Sequence, residues 1–149
     1  MEAWRDDAVA TAGTMLGTPY IPRGMIPGLA LDCGTLLWHT YKTLIPLPLF
    51  PADYPSDWAL HQVDTRYLDW IAPYVKEVRR PVRGGISVFK YGRSFSHGAI
   101  VVDRKNVIHA WGRTSFGCVQ RSHLNFFLNA GKPREVKHFD LEPSCLLGK

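Results

Sequence analysis

Long apolar runs are missing from this 149-residue chain. None approaches the roughly 18 residues that a membrane-crossing helix needs, so no membrane insertion is expected. Cysteine is scarce: Cys33, Cys118 and Cys145 are three in number and form no Cys-x-x-Cys pair. That argues against a disulfide framework and a zinc-binding cysteine set, and fits synthesis in a reducing compartment. The opening Met-Glu-Ala-Trp-Arg-Asp-Asp has neither the basic start nor the apolar core of a signal peptide. A tight basic run is also lacking. Arg79, Arg80 and Arg83 are the densest cluster and Pro81 interrupts it, so nucleic-acid binding is not expected. No carboxylate pair stands at a spacing that suggests glycosidase chemistry, although such pairs are commonly distant along a chain. There is no internal repeat and no low-complexity segment.

What is present describes one globular domain, residues 1–149. Apolar residues make up 46% and charged residues 21%, ordinary values for a soluble protein. A chain of this length buries roughly 70% of its unfolded surface and needs no metal or disulfide to fold. The net charge of +5 suits an anionic partner such as an acidic lipid surface or wall polymer, or simply keeps a basic surface soluble.

Residues 2–16 read as a helix, with Trp4, Ala8, Thr11, Ala12 and Met15 at spacings of three and four. Gly17 ends it, and Pro22, Gly24, Pro27 and Gly28 make residues 20–31 a loop. Asp32 is an N-cap for a short helix over 33–42 that buries Leu36, Leu37 and Tyr41. Four prolines leave 44–58 irregular, and a third helix is expected over 58–74, with Leu60, Val63, Tyr67, Leu68 and Ile71 along one side. Beyond Pro81 the period changes to two. Strands are expected over 86–91, 96–102, 107–111, 117–120 and, at the sheet edge, 134–139, with a turn at 103–106. Helices first and an antiparallel sheet of about five strands second define an α+β fold.

A thiol nucleophile reacts as the thiolate, and a free cysteine has a pKa of about 8.5. A helix N-terminus favours an anion, and its free N–H groups can also receive an oxyanion. Cys33, in the first turn behind Asp32, has that position, which predicts ionisation well below pH 8. Taken alone, Asp32-Cys33-Gly34 reads better as a small buried residue in a helix. A base must lie within reach of the sulfur. His97 opens one expected strand and His109 lies on the next. Both numbers are odd, so a hairpin loop of odd length sets both imidazoles on one face, and a two-residue turn sets them on opposite faces. On a shared face His109 can orient His97 as the third member of a triad does. Each histidine alone is more readily structural; with a cap-position cysteine the three read as a catalytic group.

The segments Leu16-Gly-Thr-Pro-Tyr20, Asp32-Cys33, Ser96-His97-Gly98 with its apolar strand, and Ile108-His109-Ala110 resemble the NlpC family of cell-wall cysteine peptidases. The order and spacing match from about residue 5 to 125. The resemblance implies a papain-like fold with a Cys-His-His group at Cys33, His97 and His109. It also implies Tyr20 lining the site beside the oxyanion, no cofactor and no metal. The substrate would be the peptide stem of peptidoglycan, with cleavage next to D-glutamate. Trp58-Ala-Leu-His-Gln62 and Phe89-Lys-Tyr-Gly-Arg93 are more similar to the versions carried by phage tails and gene-transfer particles. A particle would then deliver a protein made in the bacterial cytoplasm without its own signal, and tail or particle proteins would be its partners. Two positions depart from the family pattern. Asp-Cys-Ser-Gly is here Asp-Cys-Gly34-Thr, and Pro-Gly-Asp is here Arg83-Gly84-Gly85. The Gly34 change favours an alternative: a catalytically idle structural domain of a tail tip.

Other residues are weighed against blander roles. His39 is rotated about 240° from Cys33 on a helix and reads as packing or surface. His61 is a solvated helix position or lies near the cleft. His123 and His138 show no partner at useful spacing. Cys118 and Cys145 read as inert. Trp38, Trp58 and Trp70 are core, and Trp111 is the expected cleft wall. A zinc site from Cys33, His97 and His109 is a minor alternative that would leave the helix N-terminus unused.

Overall fold

The computed structural model describes residues 2–48, 66–112 and 117–148. Helix α1 (Ala3–Gly13) buries Trp4, Ala8 and Ala12, a stripe at spacing four. It stops at Gly13 rather than residue 16, because the N–H groups of Met15 and Leu16 bond only three residues back, to Ala12 and Gly13. The expected loop over 20–31 contains a small hairpin, β1 (Met25–Ile26) and β2 (Ala30–Leu31). Gly24 allows its arms to close: a Cβ there would lie 2.6 Å from Ala30. Helix α2 (Cys33–Tyr41) buries Leu36, Leu37 and Tyr41 as its spacing predicts. Helix α3 (Arg66–Ile71) runs on into a 3-10 turn, Ala72–Tyr74, where the second half of the third helix was expected. Residues 58–65 lie outside the described residues.

The strands are β3 (Val75–Val78), β4 (Ile86–Tyr91), β5 (Ser94–Val101), β6 (Asn106–Trp111), β7 (Cys118–His123), β8 (Leu128–Asn129), β9 (Lys132–Pro133) and β10 (Val136–Leu141). Six of them form one antiparallel sheet in the order β3-β10-β4-β5-β6-β7. One expectation needs correction. The last strand is not at the edge: β10 lies between β3 and β4, and β3 is the edge on that side. The six strands agree with the antiparallel sheet of about five that was expected. Val-Lys-Glu-Val is four residues with two charges directly after a helical turn, so its pattern is too short to register as a strand.

The sheet has two buried faces. Ile86, Val88, Ile100, Ile108 and Ala110 pack under the helices with Trp4, Leu36, Leu37 and Tyr41. Phe89, Tyr91, Ala99, Val101, Val107 and Phe127 form a second cluster. The 103–106 turn forms as expected: Asp103 Oδ1 accepts from the N–H groups of Lys105 and Asn106 at 2.8 and 2.9 Å. Gly85 explains the missing acidic residue before β4. A Cβ there would overlap the Phe139 carbonyl, so β10 runs too close for a side chain.

Helix and sheet are tied together at Tyr41. Its hydroxyl lies 2.8 and 3.0 Å from the carbonyls of Gly84 and Gly85, and its ring is 2% exposed. Tyr41→Phe should lower unfolding stability by about 1–3 kcal/mol, because the buried Gly84 carbonyl loses the hydroxyl that faces it, while the Gly85 carbonyl keeps the Val101 N–H at 2.9 Å. Denaturant titration should show a lower midpoint with an unchanged slope; an unchanged midpoint would contradict this role.

Candidate active site

Asp32 places the first side chain of the site. It stands just before α2 with an extended backbone (φ −122°), and its Oδ1 accepts from the N–H groups of Gly34 and Thr35, both at 3.0 Å. Thr35 Oγ1 accepts in return from the Asp32 N–H at 2.8 Å, completing a reciprocal cap. Asp32 Oδ2 accepts from the Arg23 N–H at 2.7 Å and so anchors the preceding loop. Burial raises the Asp32 pKa, and these hydrogen bonds oppose that shift.

Cys33 is the first residue of α2, and the helix end is pressed against β5. Its Sγ lies 3.7 Å from the Ser96 carbonyl, and the N–H groups of Gly98, Cys33 and Gly34 are directed at the sulfur. The sulfur therefore touches the backbone on either side of His97. A β-bulge makes this approach: Phe89 pairs with His97 but Lys90 with Phe95, leaving Ser96 as the extra residue.

The expected thiolate is not the resting form. Although Cys33 is half-buried as a residue, burial pushes its thiol up to about 12. The neighbouring Asp32 charge adds to the rise, and the three N–H groups offset only part of it. The helix N-terminus is real, but desolvation outweighs it.

His97 and His109 share a face, as odd-with-odd pairing requires: Ile100 pairs with Ile108 and Val101 with Val107. The described β5–β6 register ends there, short of both histidines. His97 Nε2 and His109 Nδ1 are 2.9 Å apart, with rings at 86°. His97 is 8% exposed and His109 fully buried. Burial lowers the His109 pKa to about 3, so this imidazole is neutral near pH 7. The rings of Tyr91, Trp111 and Phe127 stand 5.6, 5.6 and 5.7 Å from His97 and keep the pair in an aromatic surround.

Trp111 is half-buried beside both histidines and meets the exposed Phe126 edge-on at 5.0 Å. Tyr20 is held nearby through its backbone: its N–H bonds the Gly117 carbonyl at 2.9 Å, and the Leu31 N–H bonds the Pro19 carbonyl at 3.0 Å. Its ring lies on Gly112, where a Cβ would overlap it.

His39 is engaged elsewhere, its Nε2 2.7 Å from the Met25 carbonyl. His123 accepts locally from the Asn125 N–H. His138 differs from the sequence expectation, since the register places it opposite Ser87 and its Nδ1 is 2.7 Å from that hydroxyl. Cys118 lies on β7 and Cys145 near the C-terminal 3-10 turn. His61 and Trp58 fall outside the described residues. The zinc reading loses its geometry because the two imidazoles direct facing nitrogens at each other. Among the described residues no group of three potential metal ligands stands together. Sequence reasoning missed Gln120 and Ser122 behind His109. The strand carrying them was expected to stop at 120, and it runs to His123.

No family model and no curated protein sequence matches the chain. Solved structures do. The chain is similar to the NlpC/p60 domain of the peptidoglycan hydrolase SagA, at 16% identity and TM-score 0.58, covering 89% of this chain and 96% of that one. It is similar to the P60 domain of the M. avium subspecies paratuberculosis antigen MAP1204, at 16% identity and TM-score 0.51, over 89% and 92%. It is also similar to RipD from Mycobacterium tuberculosis, a non-catalytic NlpC/p60 domain protein adapted to peptidoglycan binding, at 12% identity and TM-score 0.50, over 94% and 98%. The fold is therefore the papain-like NlpC/p60 fold, with an α+β order of elements.

Two predictions follow from these protonation states. Iodoacetamide should modify Cys33 slowly at pH 7, with a rate that climbs only above about pH 9, read by mass spectrometry of the Cys33 peptide. An inflection below pH 8 would contradict a thiol resting state. His109 has a folded-state pKa below its ordinary value of 6.5, so the unfolded chain binds the proton first. Its contribution to stability is present above about pH 6.5 and is lost as pH falls towards 3. His109→Gln should flatten that part of the stability profile; an unchanged acid limb would remove this role.

Proposed function

We propose that this chain is a cysteine hydrolase that cuts an amide bond in the peptide stem of peptidoglycan, with Cys33 as nucleophile, His97 as general base and His109 orienting His97. The observation that carries the reading is the meeting of the capped α2 terminus with the β5 bulge. There the Cys33 sulfur touches the backbone flanking His97, and His97 is tied on its other side to a buried, neutral His109.

The reaction follows from those positions. His97 engages His109 through Nε2, which leaves Nδ1 to take the thiol proton. Cys33 Sγ attacks the amide carbonyl and forms the C–S bond as the proton moves to His97. The N–H of Cys33 and the Tyr20 hydroxyl stabilise the oxyanion. His97 returns the proton to the departing amine as the C–N bond breaks, leaving a thioester. Water, deprotonated by His97, hydrolyses the thioester and frees the sulfur. Trp111 and Phe126 wall the cleft beside the histidine pair. The bond next to D-glutamate is the family-implied target. The net charge of +5 favours adsorption to an anionic wall. Delivery by a phage tail or gene-transfer particle belongs to the same proposal and rests on the Phe89–Arg93 and Trp58–Gln62 segments, the second of which lies outside the described residues.

A second reading has its own observation. The Cys33 thiol is raised by burial, and one structural neighbour is a non-catalytic binder of peptidoglycan; an idle, wall-binding tail-tip domain is consistent with both. Purified peptidoglycan separates the two readings. The wild-type chain should release stem-peptide fragments with new amine and carboxyl ends. Cys33→Ala should abolish release with an unchanged circular dichroism spectrum. His97→Ala should cut the rate by roughly 10²–10⁴-fold, the usual contribution of a positioned base. Retained cleavage in Cys33→Ala would refute the nucleophile, and binding without any wild-type cleavage would favour the idle reading.

A further inference from the structure

Behind His109 lie two side chains that the scheme above does not use. Gln120 and Ser122 are two residues apart on β7 and so share one face of the strand, with Gln120 opposite His109 in register and Ser122 opposite Val107. Ser122 Oγ is 2.8 Å from His109 Nε2, and Gln120 Nε2 donates to the same oxygen at 3.0 Å. With His97 Nε2 2.9 Å from His109 Nδ1, four side chains form one line of hydrogen bonds from the sheet's outer strand to His97. Ser122, His109 and His97 are all buried.

We infer that Ser122, steadied by Gln120, is a positioning residue that keeps the single proton of His109 on Nε2 and so keeps His97 able to act as a base; this rests on the hydrolase reading above. A neutral imidazole carries one N–H. Once His97 has taken the thiol proton, both its nitrogens carry hydrogen, and its Nε2–H needs an acceptor. His109 Nδ1 is the atom facing it, and it accepts only if the His109 hydrogen sits on Nε2. That hydrogen in turn needs an acceptor, and Ser122 Oγ stands at hydrogen-bond distance. A hydroxyl oxygen has two lone pairs: one takes the Gln120 amide and the other takes His109. In the reverse arrangement Ser122 donates to Nε2, and His109 donates through Nδ1 to His97 Nε2. The His97 hydrogen is then forced onto Nδ1, the nitrogen that must receive the thiol proton, and the base is blocked. Burial prevents His109 from escaping the choice by binding a second proton.

The test uses the full chain labelled with 15N. Imidazole nitrogen shifts in the wild type should show both His97 and His109 protonated at Nε2. Ser122→Ala should move His97 towards the Nδ1–H form and lower kcat on wall peptide by roughly 10- to 100-fold with KM unchanged, within the contribution of a general base. Ser122→Thr, which keeps the hydroxyl, should restore both readouts. Gln120→Leu should give a smaller shift in the same direction. Wild-type His109 protonated at Nδ1, or Ser122→Ala with unchanged nitrogen shifts and kcat, would overturn the proposal. If the wild type cleaves no wall peptide, the hydrolase reading falls, and the nitrogen shifts of wild type and Ser122→Ala still decide the relay.

Discussion

A carboxylate taken out of water must be hydrogen-bonded or protonated, and Asp32 meets that demand with three backbone N–H groups drawn from two segments. Two belong to the first turn of α2, where an uncapped helix would leave donors unpaired. The third belongs to Arg23, whose φ of 65° puts a residue with a side chain in the left-handed region. That conformation is unfavourable by roughly 1–2 kcal/mol in isolation, and the bond to Asp32 holds it. One buried side chain thus sets where α2 starts, how the preceding loop folds back, and which residue stands first in the helix. Cys33 is at the site because it follows this carboxylate. The same proximity has an electrostatic consequence: the Asp32 charge opposes ionisation of the sulfur beside it.

The second constraint is geometric. The Cys33 helix packs on one face of the sheet, and the histidine pair belongs with the aromatic cluster on the other. A regular sheet would separate them. Two local irregularities bring them near. The bulge at Ser96 turns a carbonyl and the following Gly98 N–H towards the sulfur. The β5–β6 register ends at Ile100 and Ile108, before the histidines, so the helix end stands where the sheet is least continuous. Bulges recur next to active sites for this reason: the extra residue redirects the side chain that follows without breaking the strand beyond it.

These features differ in how readable they are along the chain. The cap, α2 and its stripe are local, and Asp32, Leu36, Leu37 and Tyr41 announce them through residue type and spacing. Parity alone left the shared face of His97 and His109 open, since it depended on how the two strands pair; the register, with Ile100 opposite Ile108 and Val101 opposite Val107, keeps odd opposite odd and decides it. Strand order was not readable. Whether β10 ends the sheet depends on β3, a four-residue strand whose pairing partner lies about sixty residues away, and nothing local encodes that. The protonation of Cys33 was misread for a related reason. The helix end is a local property, but burial depends on what packs against it, and β5 brings the Ser96 carbonyl to the sulfur from more than sixty residues away. Ser122 and Gln120 escaped notice because their only distinctive feature is register, a strand that continues past 120 and runs beside His109.

Burial raises the Cys33 thiol well above its ordinary range, which favours the neutral thiol at rest. On the proposed reading the proton then leaves as the carbonyl carbon approaches. For such concerted transfer, the acidity of the thiol matters less than whether the base offers a lone pair at the right nitrogen. Beside the buried His109 that offer is a question of tautomer, because the hydrogen bond between His97 Nε2 and His109 Nδ1 fixes which nitrogen carries the hydrogen. On the proposed relay the answer comes from behind. His109 is buried enough to stay neutral, and Ser122 lies where a proton on its far nitrogen finds an acceptor. On the proposed reading, burial makes the Cys33 sulfur harder to ionise and also keeps His97 in the one form that would act as a base, so the proposed chemistry depends on both effects together.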